Sequence, residues 1–254
     1  MKQLAFFALA AIATASYAAS GLPGPGKIEI GHNGKSTQMA SVNGSSVSNT
    51  SHSGTFAAQN LASNQGKVEI NGTSKQTATV ENGSNVWNAG MNSGDVASQN
   101  LASNAGKVYV GKYSEQNVYV NGSTLSNKAS GDGCDDCDDK SALAIQNGAS
   151  NFGEVKIYGY STQKLSVKGG STVSNTANGA QAVAVQNLSS NYGDVTIKGS
   201  SRQSTWIGGG ATVANLASGA GSAAYQNLAS NDYCMPPPPT CVGAACGTFS
   251  LAAR

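Results

Sequence analysis

Gln59-Asn60-Leu61-Ala62-Ser63-Asn64 decides the reading of this chain, because it returns unchanged at Gln99–Asn104 and Gln226–Asn231. Variants stand at Gln146–Asn151 (QNGASN) and Gln186–Asn191 (QNLSSN). The opening glutamines are spaced by 40, 47, 40 and 40 residues. A fixed period of this size marks a repeat architecture, in which a unit buries its apolar side only by stacking on its neighbours. The one long interval holds an acidic segment with two cysteines, Gly133 to Asp139 (GCDDCDD). The chain reads as five copies, 27–66, 67–106, 107–153, 154–193 and 194–233, with an acidic insert at 132–139.

Each copy begins with alternating β-branched and polar residues: KIEI, KVEI, KVYV, EVKI and DVTI. Period-2 alternation is the signature of a strand with one buried face. It predicts two internal columns, Ile28/Val68/Val108/Val155/Val195 and Ile30/Ile70/Val110/Ile157/Ile197. Glycine, Asn and Ser bound the later segments of each unit, so four short strands per copy fit the turn chemistry. No apolar stripe at i, i+3, i+4 supports helix. The expected fold is all-β: a β-solenoid of five stacked units, amyloid-like in style. A unit of this length can form one four-stranded coil or two strand–turn–strand layers. The loose echo between its halves mildly favours two.

Amides recur at fixed places in every copy. The columns are Gln59, Gln99, Gln146, Gln186 and Gln226; Asn60, Asn100, Asn147, Asn187 and Asn227; Asn49, Asn88, Asn127, Asn175 and Asn215; and Gln38, Gln76, Gln116, Gln163 and Gln203. A parallel in-register stack sets equivalent residues about 4.8 Å apart. Each amide then donates to one neighbour and accepts from the other, which satisfies groups that are costly to bury unpaired. Along the signature, Ala57, Gln59, Leu61 and Ser63 are expected on one side and Ala58, Asn60, Ala62 and Asn64 on the other. That alternation lets one ladder be buried and its neighbour exposed. Paired Lys and Glu two residues apart (Lys27/Glu29, Lys67/Glu69, Glu154/Lys156) keep these rungs nearly neutral.

The flanks differ from the repeats. Residues 1–18 read as a secretory signal: Lys2, the apolar run Leu4–Ala13, and small residues ahead of a cut after Ala18. Residues 19–26 form a Gly/Pro lead-in, and 234–254 a Pro/Cys-rich tail able to cover the last rung. The expected product is secreted, extracellular or at the cell surface, with no membrane span. The 254 residues carry only 11% charged residues and a net charge of +2, without a basic stripe for nucleic acid. Cys134, Cys137, Cys234, Cys241 and Cys246 are odd in number, so one is free or bonded to another molecule. Disulfides or crosslinks are their default role in an exported protein. A metal site at the CDDCDD loop lacks the four ligands that structural zinc wants. No catalytic motif, metal site or cofactor site is expected, and the chain does not read as an enzyme.

Segments such as 171–187 (STVSNTANGAQAVAVQN) and 129–147 resemble the Ser/Asn/Gln-rich strand–turn–strand repeats of curlin-type functional-amyloid subunits. The resemblance is one of style and covers about Lys27 to Tyr233; its Gln–Asn spacing and period depart from curlin. It implies an exported fibre or biofilm-matrix subunit whose partner is itself or a related subunit. The alternative is a monomeric adhesin or carbohydrate-binding solenoid, with surface glycans as partner.

Overall fold

The computed structural model describes residues 27–52, 56–91, 96–130, 142–179, 182–219 and 222–232. The signal, the lead-in, the acidic insert, the tail and all five cysteines lie outside these residues. Every regular element described is a strand, as the density of β-branched residues, Gly, Asn, Ser and Thr dictates.

Four parallel sheets run the length of the molecule. The first holds Lys27–Ile30, Asn64–Ile70, Asn104–Val110 and Asn151–Ile157, then Asn191–Tyr192 with Val195–Ile197, and finally Asn231–Asp232. The second holds Lys35–Asn43, Thr73–Glu81, Tyr113–Asn121, Tyr160–Lys168 and Ser200–Ile207. The third holds Ser46–Ser51, Asn85–Gly90, Thr124–Ser130, Thr172–Asn178 and Thr212–Ser218. The fourth holds Phe56–Leu61, Val96–Leu101, Leu143–Gly148, Val183–Leu188 and Ala223–Leu228. Like residues pair with like: Ile30 with Ile70, Gln76 with Gln116, Asn127 with Asn175, Gln186 with Gln226. The fold is a β-solenoid. Each copy supplies one strand to every sheet, so a unit is one four-stranded coil. The two-layer expectation fails because each described strand pairs with its equivalent in the neighbouring copy, and the halves of a unit meet only through their side chains.

The corner after the fourth sheet explains a second departure from expectation. Ala62, Ala102, Ala149, Ser189 and Ala229 all have positive φ, between 48° and 55°. This left-handed residue breaks the alternation, and the phase of the chain shifts across the bend. Asn64 therefore turns inward with Gln59, instead of outward with Asn60. The serine that follows stitches the corner together. Ser150 Oγ lies 3.0 Å from Gly148 O and 2.8 Å from Asn187 O, and accepts from the Ser190 N–H at 3.2 Å. Glycine comes next for a steric reason: a Cβ on Gly106 would lie 2.4 Å from Gly66 O, and one on Gly153 2.3 Å from Gly106 O.

The core is built in separate columns. Val80, Val120, Leu125, Val167, Val173 and Leu188 pack where the second, third and fourth sheets meet. Val68, Ile70, Val108, Val110, Val155 and Ile157 form the lining of the first sheet, with Ile28 and Val195 half-buried at its ends. Between the third and fourth sheets the lining is alanine: Ala97, Ala129, Ala144, Ala177 and Ala184. Side chains this small let the two sheets approach until an asparagine on one reaches the backbone of the other.

Candidate assembly surface: amide ladders and open ends

Four amide columns form continuous ladders. In the Asn49, Asn88, Asn127, Asn175, Asn215 column each Nδ2 donates to the Oδ1 of the next coil at 2.8 Å. In the Gln59, Gln99, Gln146, Gln186, Gln226 column each Nε2 donates to the preceding coil at 2.6–2.8 Å. The Asn60, Asn100, Asn147, Asn187, Asn227 column also points back, at 2.8–2.9 Å. Backbone carbonyls reinforce these directions. Asn127 Nδ2 lies 3.1 Å from Ala97 O and 3.0 Å from Ile145 O, while Gln146 Nε2 lies 3.2 Å from Ser174 O. A flipped amide would set oxygen against oxygen.

The fourth ladder is one that sequence reasoning did not single out. Asn64, Asn104, Asn151, Asn191 and Asn231 donate forward at 2.8–2.9 Å. Its signal was present, since this asparagine closes every signature. It was masked by the assumption of unbroken alternation through Ala62.

The Gln38, Gln76, Gln116, Gln163, Gln203 column does not form the expected self-ladder. Only Gln76 reaches its own kind, donating to Gln38 Oε1 at 3.2 Å. Gln38, Gln116, Gln163 and Gln203 donate to Asn64, Asn151, Asn191 and Asn231 at 2.7–2.9 Å. The first sheet faces this column at the corner, so its asparagine oxygens capture the glutamine donors. The cost is visible in Gln76, Gln116 and Gln163, whose buried Oε1 atoms accept no hydrogen bond.

Both neighbouring ladders of the fourth sheet are buried in the middle coils, where alternation allowed one to be exposed. Gln146 is 0% and Asn147 1% accessible. The third sheet lies on the Gln146 side. On the Asn147 side sit Leu143, Ile145, Val183, Val185 and Tyr192, with Phe152 half-buried beside them.

The end coils are different. Asn49 and Gln38 in the first coil, and Gln203 and Asn215 in the last, are half-buried, and Gln226 is exposed. Among the described residues nothing stacks beyond them, so their strands are the edges of all four sheets. Among the described residues, each end presents the continuation of every ladder it carries.

Surface charge is paired mainly on the first sheet. Lys27 contacts Glu29 at 2.7 Å and Glu69 at 2.9 Å, and these carboxylates hold its ammonium above the ordinary value. Lys27, then Asn71, holds the Glu69 carboxyl below its usual range. Glu154 is likewise lowered, chiefly by Lys156 at 2.6 Å and then by Lys107 at 3.3 Å. These exposed pairs reduce like-over-like repulsion and add little stability.

Among the described residues no group of three or more His, Cys, Asp or Glu could hold a metal ion. No described helix is long and apolar enough to cross a membrane. No family model, curated protein or solved structure matches the chain.

Proposed function

We propose that the chain is an exported structural subunit of an extracellular fibre or matrix, and that copies add end to end. The observation that carries this reading is the pair of end coils on which, among the described residues, nothing stacks, and whose ladders have complementary directions. Set the first coil of one copy on the last coil of another. Asn215 Nδ2 then meets Asn49 Oδ1, and Asn231 Nδ2 meets Asn64 Oδ1. In return, Gln59 and Asn60 donate back to Gln226 and Asn227. The backbone edges, otherwise left with unpaired N–H and C=O groups, continue their parallel pairing.

Charge supports the same junction. Lys107 stands beside Glu154 at 3.3 Å across one rung. Asp194 occupies that column in the last coil, one rung beyond Glu154, so an added copy brings Lys27 over Asp194. A subunit of five rungs advances the fibre by about 24 Å at ~4.8 Å per rung. The style of the repeats, similar to curlin-type subunits, points the same way, and export follows from the reading of residues 1–18.

The test is purified mature protein held at micromolar concentration. Filaments in electron micrographs with a meridional reflection at about 4.8 Å are expected. Protein that stays monomeric for days, with its β circular dichroism intact, overturns the proposal. Asp194→Lys places like charges at the junction and is expected to raise the concentration needed for filaments, more so at low salt.

A further inference from the structure

We infer that the outer face of the second sheet, at its last two coils, is a binding surface for an acidic polysaccharide. Three independent features of Tyr160–Lys168 and Ser200–Ile207 converge there.

The first is unpaired positive charge. Lys164 and Arg202 are exposed on this face, Lys168 is half-buried beside them, and Lys198 stands at the corner leading into it. The ion pairs among the described residues use Lys27, Lys75, Lys107 and Lys156. None uses these four cations. Neither of the two strands carries an acidic residue. The nearest carboxylate in register is Glu115, and it is engaged by Tyr113, Asn117 and Lys75.

The second is aromatic surface. Tyr160 is 65% exposed and Trp206 53%, and Tyr158 at the corner is 42% exposed. The indole reaches over Gly208, where a Cβ would fall 2.7 Å from Trp206 Cζ2. An exposed ring on a sheet surface can stack on the C–H side of a sugar; the oligonucleotide arm of the test below separates a sugar from a base. Two rings also position cations. Lys168 Nζ lies 4.8 Å from the Tyr119 centroid, and Lys198 Nζ 5.3 Å from that of Tyr158. Ring contacts of this kind leave the ammonium free to meet an anion.

The third is the polar ground between the rings. Thr162, Ser166, Ser200 and Ser204 point outward between the cations and the rings. Their hydroxyls donate and accept, as sugar hydroxyls require. The earlier coils lack the combination of ring and cation: the second coil has Thr73 where Tyr160 stands and Glu81 where Lys168 does, and the third has Tyr113 where Tyr160 stands but Asn117 and Asn121 where Lys164 and Lys168 do. Carboxylates of a uronate polymer would be held by Arg202 and Lys164, with sugar rings against Tyr160 and Trp206. Nothing in this inference depends on end-to-end assembly.

The test uses the full mature chain, freshly purified as monomer and immobilised at low density. The probes are polygalacturonate, neutral dextran and a single-stranded oligonucleotide of matched charge. Saturable, salt-sensitive binding of polygalacturonate is expected, with no binding of dextran. Lys164→Ala with Arg202→Ala should weaken it by about tenfold or more, since charge-assisted contacts are lost. Trp206→Ala should weaken it several-fold, and Lys67→Ala on the first sheet should leave it unchanged. All these side chains point outward, so circular dichroism should stay the same. Absent binding, equal binding by all variants, or tighter binding of the oligonucleotide overturns the inference. Filament formation by the same variants is read separately and reports only on assembly.

Discussion

Asn127 and Gln116 are both fully buried amides, yet their neighbours assign them different costs. Asn127 Nδ2 serves Asn175 Oδ1 and two backbone carbonyls, and its own oxygen accepts from Asn88. Asn127→Ala strands several buried polar groups, and a loss of about 2–4 kcal/mol in urea unfolding is expected. Gln116 donates to Asn151 Oδ1 and to Ser150 O, both of which Asn104 also serves, and its own oxygen is unpaired. Gln116→Met should therefore cost less, about 1 kcal/mol or below. Equal losses in the two variants would contradict this ranking. Glu154 gives the pH dependence. Its carboxyl is held below the ordinary range, so its contribution is present above that range and fades as pH falls through the lowered value. Thermal midpoints should drop slightly from about pH 6 to about pH 3, and Glu154→Gln should shrink that drop. At this scale the amide columns were legible in the sequence by period alone. Their partners were not: the Gln116 column pairs mainly with asparagines 26, 28 or 35 residues distant in sequence rather than with itself. Only the corner geometry brings those columns face to face.

Strands in this molecule are short and gain permanence from position in the stack. Alternation marked the first-sheet strands well, because Val68 and Ile70 face a dry core while Lys67 and Glu69 face water. It failed at the corner, where a left-handed alanine is chemically silent in the sequence. Glycine was more informative there. Gly106 has φ 112° and no room for a side chain against Gly66 O. Gly106→Ala is expected to cost about 3 kcal/mol or more, from backbone strain added to the clash. A thermal midpoint unchanged by that substitution would remove the steric account of the corner. Because each copy is one full coil, excising residues 67–106 should leave the remaining strands in register. The shortened chain should keep β circular dichroism with reduced stability, as expected for a quasi-one-dimensional stack. Excising half a unit should abolish the fold. Loss of structure after removing the whole unit would mean that the four-stranded coil is not the repeating element.

For the whole molecule, one property governs the rest: five coils lie in register, so that equivalent residues meet one rung apart. The period announced that arrangement. It left open how many strands fill a rung, because the echo within a unit is a product of shared turn chemistry. The fibre proposal extends the same stacking across the junction between copies, and the polysaccharide surface uses one flank of it. Both depend on that register. Ser126 and Ser174 point outward on adjacent strands of the third sheet, with their hydroxyl oxygens 3.2 Å apart although 48 residues separate them in sequence. Spin labels on Ser126→Cys and Ser174→Cys, with the native cysteines changed to serine, test this in dilute monomer. The backbones of these labels lie about 4.8 Å apart, so the continuous-wave EPR spectrum should be strongly broadened by exchange. Sharp spectra equal to the sum of the singly labelled proteins would contradict the account.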